Sequence, residues 1–383
     1  MSSRGRICFH VPYVYPLAAG GAVDFVGGIE VQSWAVARGL ADRGFDVAMA
    51  TCDFGQGRLE TRDRVSLART YSIGSGVPGL RLVYPRLWKA IRTMHQLAAD
   101  VYVANGGGLS TGWAYDAARL RRSKFVFLAA SDKDLMRSLP GLTKRRERWW
   151  YTRALRGANA RVAQTEVQRR LLEDDFGLDA VVIPYSVDLP SAAVDAGENN
   201  VVLWLSTYKS TKRPEWFIEL ARRLPEIRFV MVGFQPPGAA DGSWASAKQA
   251  EAELSNLTVR GTVEHSRIGE LMLDTALFVH TSPLEGFPNT LLEAWSYGIP
   301  SVTAVDPDGV IERHGLGEVV DSVDMLTTAV AQMMSDPERR RVLGARARDY
   351  VRLHHDRDRS LERLATLLDD VLSGNAAPHG STG

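Results

Sequence analysis

Short apolar runs recur along this chain, each separated from the next by room for about one helix, and they fall into two successive series. The first series reads at 7–11, 46–52, 100–104, 125–129, 160–163 and 181–184. The second reads at 201–205, 228–232, 257–260, 276–280 and 301–304. Runs this short, apolar throughout rather than alternating, mark strands buried on both faces. Their alternation with helical patterns predicts a doubly wound parallel α/β sheet, and two series predict two such Rossmann-like domains. The stretch 186–200, rich in Ala, Asp and Ser, reads as a linker, and 337–372 is continuously helical in pattern. The expected division is therefore a first domain at 1–187 and a second at 188–355, with a helix at about 356–373 packing back on the first and a disordered tail at 374–383. Open α/β sheets hold ligands beyond the carboxyl ends of their strands, so two joined sheets are expected to line a cleft with those ends.

Composition narrows the function classes. The length of 383 residues and an apolar content of 45% support two full cores. The net charge of +1 hides a split: residues 1–195 hold 27 Lys and Arg against 19 Asp and Glu, whereas 196–383 hold 19 against 26. The halves thus carry +8 and −7, which suits two domains with different partners. Near-neutrality overall, with no recognition module, argues against a nucleic-acid partner. Cys8 and Cys52 sit in expected buried strands, and their spacing suggests neither a metal site nor a disulfide framework. A reducing cytosol is the default expectation. The first apolar run is too short for a signal peptide, and nowhere do 18 apolar residues follow one another.

The chemistry concentrates in Glu285-Gly286-Phe287-Pro288-Asn289-Thr290-Leu291-Leu292-Glu293. This segment follows the apolar run 276–280 and leads into a helix that breaks at Gly298 and Pro300. Pro288 suits the first helical turn, because it has the fixed φ and lacks an amide that such a turn leaves unpaired. The free N–H groups of Asn289, Thr290 and Leu291, with the helix dipole, favour an anion at the strand's carboxyl end. Glu285 lies before the helix and Glu293 about one turn in, so the two carboxylates can take hydroxyls at opposite ends of that anion. A diphosphate between two sugars fits the arrangement. Two surface glutamates on an ordinary strand–helix unit are the alternative.

The segment from Thr281 to Ala294, with Gly298-Ile299-Pro300-Ser301-Val302 after it, resembles the paired-glutamate motif of glycosyltransferase family 4, the retaining nucleotide-sugar glycosyltransferases of GT-B fold. The resemblance covers nearly the whole chain and is stronger in the second half. It implies that Glu285 lies beside the donor sugar, that Glu293 holds the nucleotide ribose, and that the backbone from Gly286 through Phe287, Pro288, Asn289 and Thr290 to Leu291 holds the diphosphate. A second match, Lys212-Arg213-Pro214-Glu215-Trp216-Phe217, resembles the family's helix after the first strand of the second domain. It implies that Lys212 pairs with the diphosphate, a role suited to a compact ammonium. Where the family commonly has an arginine five positions earlier, this chain has Thr207, with Lys209 as a substitute of undetermined direction.

In the first half, Gly20-Gly21 and Gly27-Gly28 resemble the family's acceptor-side glycine loop, where a close backbone and a helix start would meet a phosphate or sugar. A plain turn explains paired glycines equally well. The family's histidine after the fifth strand is missing; Asp132 is the nearest polar candidate, for a sugar hydroxyl, the acceptor or a helix cap. His10 reads as structural. Two segments, 84–92 and 144–153, combine Trp and Tyr with Lys and Arg in helical patterns. Such a face suits an anionic membrane surface, with inward-packing tryptophans as the alternative.

The resemblance thus implies transfer of a sugar from a nucleotide diphosphate sugar to the hydroxyl of a sugar or lipid-linked acceptor, with retained configuration, in cell-surface polysaccharide or glycolipid assembly. It implies a cytoplasmic protein, peripheral at the inner face of the membrane. No cofactor is expected beyond the donor itself, and no metal, since basic groups face the phosphates. A nucleotide-sugar epimerase of the same fold and a silent nucleotide-sugar-binding partner are the competing readings.

Overall fold

A computed structural model describes residues 4–20, 27–76, 82–235, 241–264 and 267–375. The chain forms two compact units, one of which takes the sequence through Pro184 and again from Asp358, while the other spans Tyr185–Arg357. Of the expected tail, 376–383 lie outside the described residues, as does Gly21 of the glycine loop.

The first unit is built on a sheet of strands β1 (Arg6–His10), β2 (Asp46–Asp53), β3 (Leu59–Arg62), β4 (Val65–Ser72), β5 (Val101–Asn105), β6 (Lys124–Leu128), β7 (Ala160–Ala163) and β8 (Val181–Val182). Their order is β3-β4-β2-β1-β5-β6-β7-β8, parallel except for the β3–β4 hairpin at one edge. That hairpin escapes the apolar-run criterion because Leu59–Arg62 is mostly exposed and polar, and Val65–Ser72 is interrupted by the partly exposed Ser66 and Arg69. An edge pair needs only one buried face.

The helix Arg357–Ser373 belongs to this first unit's core. Leu364, Ala365, Leu368 and Val371 pack with Ile7, Phe9, Val47 and Val101 of the central strands. Full burial of each large aliphatic side chain stabilises by about 1.5–3 kcal/mol, so this helix is a structural member of the layer. Close approach is possible because Gly39 has no side chain: a Cβ there would lie 2.3 Å from Leu361.

The second unit's sheet holds β9 (Val201–Leu205), β10 (Arg228–Val232), β11 (Leu257–Arg260), β12 (Thr275–His280), β13 (Ser301–Thr303) and β14 (Gly317–Val319). The order is β11-β10-β9-β12-β13-β14, with every pairing parallel. β14 is three residues long, with Gly and Glu in it, and leaves no apolar run to read.

The stretch 186–200 is irregular but not a free linker. Val187, Leu189 and Val194 pack against the second core, and the buried Arg340 guanidinium donates to the carbonyls of Ala196 and Gly197. Side chains of the segment anchor it too: Asp195 accepts from the Arg341 guanidinium at 2.9 Å, and Asn199 donates to the Leu273 carbonyl at 2.7 Å.

One glycine sets the path of the loop that leaves β9. A Cβ on Gly233 would stand 1.7 Å from the carbonyl oxygen of Ser206, so the backbone after β10 lies directly against the backbone after β9. Gly233→Ala forces that loop to move and should destabilise the protein by about 1–3 kcal/mol. Thermal denaturation checks this, with Gly261→Ala as the control, since its nearest neighbour would be 3.9 Å away; equal melting temperatures for the two variants would refute the assignment.

Candidate functional site

The strand order of the second unit reverses beside its first strand. β9 leads to β10 and β11 on one side, whereas β12, its other neighbour, leads to β13 and β14. Loops leaving the carboxyl ends of β9 and β12 therefore diverge, and that divergence is where doubly wound sheets take ligands. The loop after β9 carries Lys212 and the loop after β12 carries Glu285.

Lys212 ends a single 3-10 turn, Ser210–Lys212. Arg213 then adopts φ +49, and Pro214 opens the helix Pro214–Arg223. The Thr281 hydroxyl donates to the Lys212 carbonyl and accepts from the indole N–H of the buried Trp204 at 2.9 Å. These two bonds fasten the lysine's turn to the end of β12. The Lys212 ammonium pairs with Oε1 of Glu285, both side chains being largely covered. Burial pushes the Glu285 carboxyl up, but the Lys212 charge, His280 and hydrogen bonds from Lys212 and Ser282 outweigh it and hold the group below its ordinary value. Glu285 is therefore an anion at neutral pH.

His280, the last residue of β12, was not singled out in the sequence as a site residue. It lies among buried apolar residues, and its Nε2 is 3.8 Å from Oε1 of Glu285. Burial pushes its imidazole down to about 4, so the ring is neutral. The only sequence signal was a histidine ending an otherwise apolar strand.

The helix after Glu285 begins at Asn289, with Pro288 as its cap at ψ 120 rather than inside the first turn. The Pro288 carbonyl accepts from the amides of both Leu291 and Leu292, so Leu291 does not present a free N–H as expected. Asn289 and Thr290, both partly exposed, are the first residues of the helix. Phe287 and Leu291 are buried in the core, the Phe287 ring lying 4.7 Å from that of His355 and 6.0 Å from that of Trp295. Their side chains hold the loop in place, and only their backbone can serve a ligand. Gly286 is buried as well. Glu293 sits in the second turn of the helix, and burial pushes its carboxyl up to about 7. Thr207 lies partly buried beside the Lys212 turn, its carbonyl accepting from the amide of the exposed Lys209 at 2.9 Å.

The first unit has its own reversal, between β1 and β5. Gly27 caps the helix Gly28–Asp42 there, but its amide donates to Oε2 of Glu30 at 3.0 Å. The expected phosphate loop thus carries a carboxylate at its helix start, which opposes an anion. Glycine is needed more after β5, where a Cβ on Gly107 would be 2.4 Å from Oδ1 of Asp134. The Asp134 carboxyl is pushed up to about 6 by burial, against hydrogen bonds from the Gly107 and Ser131 amides. Asp132 is turned elsewhere, its Oδ1 accepting from Nε2 of Gln168 at 3.1 Å. Asp134, rather than Asp132, is the carboxyl against the loop after β5. His10 is buried, with Nδ1 2.9 Å from the Ser110 carbonyl, in keeping with a structural role. Among the described residues, no group of three or more His, Cys, Asp or Glu is placed to hold a metal.

Two adjoining family matches span most of the sequence: the family described as Glycosyltransferase Family 4 over residues 26–190, and Glycosyl transferases group 1 over residues 191–350. No curated protein matches the chain. Among solved structures, sucrose-phosphate synthase from Thermosynechococcus elongatus superposes with a TM-score of 0.78 at 16% identity, covering 97% of this chain and 100% of that one. HepE from Anabaena, solved with UDP and glucose, gives 0.74 at 18% identity, covering 95% and 99%. A glycosyltransferase from Rickettsia africae gives 0.68 at 15% identity, covering 97% and 99%. At these identities the likeness speaks for the fold, and the family matches speak for the chemistry. The chain belongs to the glycosyltransferases of the family 4 type and has their GT-B fold.

Proposed function

We propose that this glycosyltransferase takes its sugar from a nucleotide diphosphate sugar and passes it, with retained anomeric configuration, to a hydroxyl of a sugar or lipid-linked acceptor. The observation that carries the reading is the pairing of Lys212 with Glu285 at the strand-order reversal, beside the start of the helix Asn289–Ser296. Cleavage of a glycosyl diphosphate builds negative charge on the departing phosphate and positive charge on the anomeric carbon. Lys212 and the helix start supply the first counter-charge, and the Glu285 carboxylate supplies the second. The side chain of Glu293 accepts hydroxyls of the nucleotide ribose, while the Gly286–Leu291 backbone lines the diphosphate. In the first unit, Gly27, Gly28, Asp132 and Asp134 are the groups we assign to the acceptor side. HepE, similar in fold, was solved with UDP and glucose, which makes UDP-sugars the first donors to try.

The cell-surface role rests on the basic aromatic face of the first unit. Tyr84, Trp88 and Trp149 are 65%, 47% and 60% exposed. The Arg92 guanidinium lies 4.8 Å over the Trp88 ring and that of Arg153 lies 5.5 Å over Trp149. Trp150 instead turns inward and donates to Asp116 at 2.9 Å. No described helix is long and apolar enough to cross a membrane. Exposed rings stacked with guanidinium groups suit the headgroup layer of an anionic leaflet, and we place the enzyme there, on the cytoplasmic side, in polysaccharide or glycolipid assembly.

Three measurements test these assignments. Supplied with a panel of UDP-, GDP-, ADP- and dTDP-sugars, the protein should transfer or slowly hydrolyse one of them. Lys212→Ala should lower kcat by roughly 10²–10³-fold, and Glu285→Ala should abolish turnover. An epimerised sugar, or binding without any turnover, would mean a different activity. The second concerns Glu293. Its raised value means that the folded protein keeps a proton the unfolded chain gives up, so stability falls as pH rises from the ordinary 4.5 to about 7 and is level above. Glu293→Gln should therefore be more stable to unfolding than the parent at pH 8, by about 1–3 kcal/mol, with the gap closing by pH 5. A gap independent of pH would show that the carboxyl titrates normally. Finally, the protein should float with liposomes containing anionic lipid at low salt and be left behind by neutral ones, with Trp88→Ala/Trp149→Ala reducing flotation; failure to float with either lipid would remove the membrane assignment.

A further inference from the structure

His280 ends β12 where the strand's other residues are Thr, Ala, Leu, Phe and Val, and it is only 5% exposed. Its Nδ1 is buried without a hydrogen-bond partner among the described residues. A buried polar atom left in that state disfavours the fold, a penalty that a leucine there would not carry. The ring's other nitrogen faces Oε1 of Glu285, the same oxygen that holds the Lys212 ammonium, from 3.8 Å.

We propose that His280 is a positioning residue that takes over Glu285 when the diphosphate of the donor draws Lys212 away. This rests on the nucleotide-sugar reading above. In the ligand-free protein Lys212 and Glu285 neutralise each other, so an incoming diphosphate competes with Glu285 for one ammonium. Losing that partner would strand a largely covered carboxylate, which opposes binding. The Nε2–H of His280 stands about 0.9 Å beyond an ordinary N–H···O distance, within reach of a small side-chain rotation of Glu285. A neutral ring suits the task. It carries one proton, placed on Nε2 toward the carboxylate, and keeps the lone pair on Nδ1; no proton is gained or lost. Glu285 stays anionic, and Lys212 is released to the phosphates.

The exchange predicts coupling between residues. Titration calorimetry with UDP, and in parallel with GDP, ADP and dTDP, reads it without any sugar transfer. Glu285→Gln should bind the preferred nucleotide about fivefold more tightly than the parent, because Lys212 is no longer masked. His280→Leu should weaken binding about tenfold, and His280→Gln, which restores an N–H at similar reach, should recover most of it. His280→Asn, too short to reach, should not recover it, and it serves in place of the leucine variant should that one fail to fold. Combined with Glu285→Gln, either weakening substitution should have no further effect. Equal weakening in both backgrounds would make His280 a packing residue and overturn the inference, as would unchanged binding in the single variants. If the parent binds none of the four nucleotides, it is the nucleotide-sugar reading that fails.

Discussion

The adjacency of β9 and β12 is the constraint on which the second unit's chemistry depends. Lys212 and Thr281, which follow those strands and bond to each other, are 69 residues apart in sequence, yet the strands pair directly, with Val202 beside Leu277 and Leu203 beside Phe278. Parallel pairing puts both carboxyl ends on one edge, and the reversal of strand order at that point sends the two following segments apart. An ammonium and a carboxylate that would be unrelated in any other topology become partners. Local features then refine the geometry: a φ of +49 at Arg213, a threonine hydroxyl tied to Trp204, and a glycine at 233 with no room for a methyl group.

Electrostatics in this region are set by burial as much as by pairing. Glu285 and Glu293 lie eight positions apart on the same loop–helix segment but are pushed in opposite directions, one down by a neighbouring ammonium and the other up by desolvation. Two carboxyl groups of one motif are thereby prepared for different tasks. The first is held as an anion at neutral pH. The second is a group whose protonation near neutrality sets whether it donates to a hydroxyl or only accepts.

Much of this was legible in the sequence because the information is local. Apolar runs of buried parallel strands cannot be confused with amphipathic ones, so the two sheets could be laid out, and the Glu285–Glu293 segment carries its own strand, loop and helix start. Other features leave no distinct signature in the sequence. The β3–β4 hairpin is one, since an edge strand lacks the apolar signature. The use of the Leu291 amide by Pro288, and of the Gly27 amide by Glu30, are others, because sequence places a helix start only to within a residue or two. Asp132 and Asp134 are indistinguishable as letters. Only the fold shows one held by Gln168 and the other set against Gly107. His280 was hidden for a similar reason: its meaning comes from an oxygen five residues on, across a turn.

The helix Arg357–Ser373 completes the core of the unit in which the chain begins, so the second unit is an insertion within the first. During synthesis the order of maturation is consequently inverted. The second unit has all its strands once residue 357 has emerged, while the first still lacks the four side chains at 364, 365, 368 and 371 that cover Ile7 and Phe9. Until residues 364–371 have emerged, the earlier-made sheet lacks part of its apolar cover, and the later-made unit is the first able to complete its core.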